Sequence, residues 1–106
     1  MTAEVEIAVL TAAFDAREGS EAQLDAALAR YVVLTRREPE CRNVDLLASI
    51  TRPGRIVLIE KWTSTAAAQD HLDSELMAGM ATEVLPLLAG RPELDLLDTV
   101  SAHDLA

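Results

Sequence analysis

Aromatic side chains are almost missing from this chain: Trp62, Tyr31 and Phe14 are the complete set in 106 residues. A core must therefore be built from Leu, Val, Ile and Ala, and each aromatic position stands out. Cysteine is scarcer still, since Cys41 is alone. That excludes an intrachain disulfide and gives no support to an oxidising compartment. As a nucleophile Cys41 is disfavoured, because the nearby Glu38 and Glu40 raise a thiol pKa, with only Arg42 opposing them. Basic residues are outnumbered nine to eighteen, and the resulting net charge of −9 repels phosphate backbones and anionic membrane surfaces. Nucleic acid is thus not an expected partner. No apolar run approaches the roughly eighteen residues of a membrane span, and no basic segment leads into an apolar run near Met1. The expected location is cytoplasmic, with no membrane contact. Also absent are a Gly-rich phosphate loop and any His/Cys ligand spacing. Asp70, Asp73 and Glu75 lie near His71 in sequence, but helical geometry scatters them into a solvated acidic face. Neither cofactor nor metal is expected.

What is present concentrates between Arg55 and Leu72, which reads as a strand, a turn and a helix. The strand, Ile56 to Trp62, is apolar except for Glu60 and Lys61 and carries the single Trp. Thr63 and Ser64 supply N-cap chemistry, and the following helix delivers His71, one of two histidines. Side chains alternate across a strand, so Leu58, Glu60 and Trp62 share one face and Val57, Ile59 and Lys61 the other. Both faces are largely apolar, which calls for cover on both sides. One layer of helices covers one face of so short a chain; a second copy of the same sheet covers the other most economically, which predicts a homodimer.

The rest of the chain fits a single domain over residues 1–106. Val5 to Phe14 alternates as a first strand, and Ser20 with Gln23 forms a capping box for a helix carrying Leu24, Ala27, Leu28, Tyr31, Val32 and Thr35 on one stripe. Glu38-Pro39 ends it. Val44 to Thr51 is a second strand, joined to the third by Arg52-Pro53-Gly54-Arg55 with type II turn residues at its centre. After a break at Asp73-Ser74, a helix with Met77, Met80, Ala81, Val84 and Leu88 inward runs to Gly90-Arg91-Pro92, and Leu94 to Val100 is the fourth strand. Residues 101–106 read as a tail able to exchange onto a partner subunit; His103 within it has no assigned role. The order strand, helix, strand, strand, helix, strand is the split βαβ plan of an α+β, ferredoxin-like domain with an antiparallel sheet. Arg36, Arg37, Arg42, Arg52 and Arg55 form a basic cluster, read as a solvated edge offsetting Glu38, Glu40 and Asp45 rather than an anion site.

These residues resemble the antibiotic biosynthesis monooxygenase family of dimeric α+β barrel proteins. The likeness rests on Phe14 to Gly19 with the helix after it, Arg37-Glu38-Pro39 before Cys41, and Glu60-x-Trp62 followed nine residues after the Trp by His71. It implies a dimeric barrel, with chemistry that varies between members: cofactor-free oxygenases of anthrones and quinols, enzymes acting on small signalling molecules, and haem-degrading enzymes. The haem-degrading members place an Asn on the first strand, a Trp on the helix and a His beyond it, where this chain has Ala12, His71 and Met80. Haem cleavage is disfavoured. Some other members carry a second His about five residues after the first, where Leu76 stands here.

Two readings of function follow. In the first, a cofactor-independent monooxygenase-like enzyme oxidises a quinol, anthrone or similar planar phenol with dioxygen. His71 is then the general base, since an imidazole titrates near neutrality and can remove a phenolic proton. Trp62, Phe14, Tyr31, Met77 and Met80 line a small apolar pocket, methionine being an adaptable wall. In the second, the chain is a non-catalytic module that binds a small ligand or dimerises, and His71 is a structural hydrogen-bonding residue. Glu60 needs a partner in an otherwise apolar strand. The candidates are His71, where it would set the tautomer and join the catalytic group, Arg55, or a backbone amide; an ion pair with Arg is favoured. For Trp62 an anchoring role between strand and helix is favoured over stacking on a substrate.

Overall fold

Alternating apolar residues in the chain's middle form a four-stranded antiparallel sheet in the computed structural model, which describes residues 4–5, 7–101 and 104–105, the two end pairs by backbone alone. In chain order the elements are β1 (Glu4–Val5), β2 (Ala8–Asp15), α1 (Glu21–Thr35), β3 (Cys41–Ala48), β4 (Arg55–Trp62), α2 (Thr65–Leu72), α3 (Glu75–Val84), a 3₁₀ turn (Leu85–Leu87), β5 (Glu93–Asp98) and β6 (Asp104–Leu105). The main sheet is ordered β3-β4-β2-β5, as the ferredoxin-like plan requires. The two-residue β1 pairs antiparallel with β6, so residues 104–105 lie against this chain's own first strand. Some limits differ from the sequence reading: the first strand divides into β1 and β2, the second runs from Cys41 to Ala48 rather than Val44 to Thr51, the fourth ends at Asp98, and the last helix ends at Val84, leaving Leu88 beyond the 3₁₀ turn.

Two of the three α-helices start at a serine cap. Ser64 and Ser74 are extended, and their hydroxyls accept from Ala67 N at 3.0 Å and Met77 N at 3.2 Å. The expected capping box at Ser20 does not form. Ser20 has ψ 5°, outside the extended region in which a cap hydroxyl reaches the helix amides, and the Glu21 carboxylate accepts from Gly19 N instead. The hairpin turn is as expected: Gly54 has φ 83°, and Arg55 N donates to Arg52 O at 3.1 Å.

Helices cover one face of the sheet only. On that face β2 presents Ala8, Leu10, Ala12 and Phe14, and β4 presents Ile56, Leu58, Glu60 and Trp62, all buried. α1 and α3 close a larger apolar cluster around Phe14, Leu24, Leu28, Leu58 and Val84, and α2 closes a smaller one around Ala8, Leu10, Trp62 and Ala68. The opposite face holds Val9, Thr11, Ala13, Val57, Ile59 and Lys61, each part-exposed, flanked by the exposed Leu47 and Leu97. No described segment of the chain packs over it. Among the described residues no helix is long and apolar enough to cross a membrane.

Candidate active site

Between the two apolar clusters lies a polar seam. Strand alternation turns Glu60 inward with Leu58 and Trp62, the α1 stripe brings Tyr31 down from above, and α2 swings His71 over the end of β4. All four polar-bearing residues, Tyr31, Glu60, Trp62 and His71, are at most 2% exposed. Burying so much polarity is tolerable when it is internally paired, and here every polar side-chain atom of the four except His71 Nδ1 has a hydrogen-bond partner. Tyr31 Oη lies 2.6 Å from Glu60 Oε2, to which it donates, and 2.6 Å from His71 Nε2. Trp62 Nε1 donates to Glu60 Oε1 at 3.1 Å. The Trp62 and His71 rings pack with centroids 4.5 Å apart at 31°.

The expected ion pair of Glu60 with Arg55 is not formed. Arg55 sits at the far end of the same strand, where Nε and Nη2 clasp Asp15 at 2.9 and 2.7 Å. The hydrogen bond from Arg55 holds the Asp15 carboxyl below its usual range. Glu60 takes its partners from Tyr31, Trp62 and His71 because a strand side chain can reach only what its own face meets. Burial pushes the Glu60 carboxyl pKa up, while Tyr31, His71 and Trp62 pull it back. Burial likewise drives the Tyr31 phenol far above its usual value, with Glu60 adding to it.

Glu38 escaped the sequence reading as a site residue. It follows α1 in a turn fixed by Glu38 N to Thr35 O and Cys41 N to Glu38 O, each 3.0 Å. Its Oε2 lies 2.8 Å from His71 Nδ1, a contact that is ionic only when the ring is protonated, and it is displaced from the ring N–H direction, so the pair falls short of an aligned hydrogen bond. A Glu before Pro at a helix end reads locally as a terminator; nothing in the sequence between residues 38 and 71 signals their meeting. The Glu38 side chain is 34% exposed against 1% for His71. It also lines a cleft of about 380 Å³ together with Pro39, Trp62, Ala67, Asp70 and His71.

The other sequence candidates are scattered. Phe14 lies in the larger apolar cluster, four residues along β2 from Leu10, the residue paired with Glu60. Met80 is buried and, with Tyr31, Leu76 and Gly79, borders a separate groove of about 340 Å³ between α1 and α3 that Arg30 and Glu83 bridge. Met77 packs against both apolar clusters. Cys41 is half-buried, and burial, Glu60 and Glu38 push its thiol up to about 11, in keeping with a non-nucleophilic role. Of the basic cluster, Arg36 ties α1 to β3 through Val44 O at 2.6 Å. His103 falls outside the described residues. Among the described residues no group of three or more His, Cys, Asp or Glu side chains could hold a metal ion.

The chain is thus a ferredoxin-like α+β domain with a buried His-Tyr-Glu network beside a small cleft. Residues 7–83 match the family model described as antibiotic biosynthesis monooxygenase, and the chain belongs to that family. Among solved structures it is similar to Rv0793 from Mycobacterium tuberculosis, at 27% identity and TM-score 0.83, covering 91% of this chain and 97% of the other. A protein named antibiotic biosynthesis monooxygenase superposes at TM-score 0.79 with 24% identity, covering 88% and 98%. NE2512 from Nitrosomonas europaea, of unknown function, gives 0.81 at 21%, covering 94% and 95%. No curated protein matches the sequence. Family membership supports a monooxygenase-like role, while the last two likenesses speak to fold alone.

Proposed function

We propose that the chain is a cofactor-independent monooxygenase that oxidises a quinol, anthrone or similar planar phenol with dioxygen. The carrying observation is the position of His71: one ring nitrogen engages the buried Tyr31-Glu60 pair, and the other lies 2.8 Å from Glu38 Oε2, with Glu38 and His71 both lining the cleft. His71 acts as general base toward a phenolic hydroxyl that takes the place of the Glu38 carboxylate at Nδ1. The phenolate so formed is electron-rich enough to pass an electron to dioxygen. Trp62 and Ala67 form the apolar wall against which the ring lies. The working unit is a homodimer in which the bare sheet face, carrying Val9, Val57 and Ile59, packs on its copy.

One observation favours a second reading, a ligand-binding or dimerisation module without turnover: the His71 side chain is 1% exposed, with Nε2 bonded to Tyr31 and Nδ1 close against the Glu38 carboxylate. Oxygen uptake by metal-free protein with a panel of hydroquinones and anthrones separates the two. Uptake that depends on His71 supports the enzyme; saturable binding without uptake supports the module.

A further inference from the structure

We propose that Tyr31 relays a proton between His71 and Glu60, so that a proton taken up at Nδ1 of His71 comes to rest on the buried Glu60 carboxylate. The inference deepens the base role of His71 proposed above and rests on it. A phenol hydroxyl carries one proton and can give it to one acceptor only. Tyr31 Oη nevertheless stands 2.6 Å from two partners, Glu60 Oε2 and His71 Nε2. Two arrangements satisfy both contacts. In one, His71 donates from Nε2 to Tyr31, and Tyr31 donates to an ionised Glu60. In the other, a neutral Glu60 donates to Tyr31, and Tyr31 donates to a bare Nε2. They differ by the shift of two protons along one line.

The step balances. Neutral His71, protonated at Nε2, accepts a proton at Nδ1 and becomes imidazolium. The Nε2 proton then passes to the Tyr31 oxygen as the Tyr31 proton passes to Glu60 Oε2. The ring ends neutral with its proton on Nδ1, Tyr31 is restored, and Glu60 is a carboxylic acid. One proton has entered from the cleft and one has been stored. No redox partner is involved.

Three features of the geometry support this course over a lasting ion pair. His71 and Glu60 side chains are each 1% exposed, where two opposite charges lose their hydration together. Direct transfer is hindered because His71 Nε2 and Glu60 Oε1 are 3.5 Å apart, leaving Tyr31 as the short path. Trp62 Nε1 holds Oε1, which leaves Oε2 to Tyr31. The titratable groups around the ring are Glu38 from the turn after α1, Tyr31 from α1 and Glu60 from β4, with Cys41 of β3 near enough to both carboxylates to feel them. Burial already favours the neutral acid at Glu60. Tyr31 and Glu60 are then positioning residues that act through His71.

The test is a pH titration of the full chain labelled with ¹⁵N-histidine and ¹³C-carboxyl glutamate, followed by NMR. The expected result is that, as His71 gains its Nδ1 proton, Nε2 loses its bonded proton and the Glu60 carboxyl carbon moves to the protonated position in the same step. A doubly protonated His71 beside a Glu60 that stays ionised overturns the relay. In Tyr31→Phe the two groups should titrate independently and turnover of a hydroquinone should fall about tenfold or more; linkage that persists in this variant also overturns it. Wild-type spectra decide the question even where the variant does not fold. Absence of oxygen uptake with every phenol tested would sink the enzymatic reading, whereas the relay stands or falls on the linked titration alone.

Discussion

Replacing His71 by Ala tests the network more sharply than any other single change, because the structure states what is left behind. The ring contact with Trp62, centroids 4.5 Å apart, contributes about 0.5–1.5 kcal/mol. The lost hydrogen bond to Tyr31 at 2.6 Å is worth about 1 kcal/mol net. Glu60 is not orphaned, since Tyr31 Oη and Trp62 Nε1 still donate to it, so the 3–5 kcal/mol or so of an uncompensated buried charge does not apply. The expected destabilisation is therefore about 1.5–2.5 kcal/mol, a fall in Tm of roughly 6–20 °C for a domain of this size. Differential scanning calorimetry at neutral pH measures it. A loss above about 5 kcal/mol would mean that His71 carries the Glu60 charge directly, and no change at all would mean that the ring is not packed as described. In the same variant, turnover of a quinol or anthrone should drop about a hundredfold if His71 is the base. Unchanged activity in folded protein removes it from the mechanism.

Glu60→Gln should gain stability on the wild type as pH rises. The folded-state pKa of Glu60 is raised above its ordinary 4.5 by burial, so its favourable contribution is full below 4.5 and is lost as pH climbs through the raised value; melting curves that keep a constant offset across that range would contradict this. Asp15 runs the other way: its carboxyl pKa is lowered by Arg55, so that pair's contribution is present above 3.8 and fades as pH falls through the lowered value, and Asp15→Asn should blunt the acid-side loss of Tm. Val57→Asp or Ile59→Asp puts a charge in the middle of the bare sheet face and should leave monomeric or insoluble protein by light scattering; a wild type that is monomeric at micromolar concentration would itself refute the dimer. Purified protein should be colourless and free of stoichiometric metal, and a full-occupancy flavin or haem spectrum would show otherwise.

Local sequence settled the elements because their causes are local. Alternation from Val5 to Phe14 and from Ile56 to Trp62 pointed to strands, which the structure bounds at Ala8–Asp15 and Arg55–Trp62, and Ser64 before an α-period specified a helix start. The inward set Leu58, Glu60 and Trp62 was legible from period two alone. So was the need to pair Glu60. Ser20 misled, since a cap requires an extended backbone as well as a hydroxyl, and that backbone angle is not written in the residue type. Tertiary structure decided who meets whom. Arg55 and Glu60 share a strand yet lie five residues apart on it, which carries Arg55 to Asp15 and out of reach of the seam. Tyr31, Glu38 and His71 are separated by up to 40 residues and converge only because α1 and α2 cross the same face of the sheet. Hydrogen-bond partners are set by distances of a few ångströms between elements, and those distances depend on how the apolar clusters on either side pack, a property of the whole chain that no local pattern encodes.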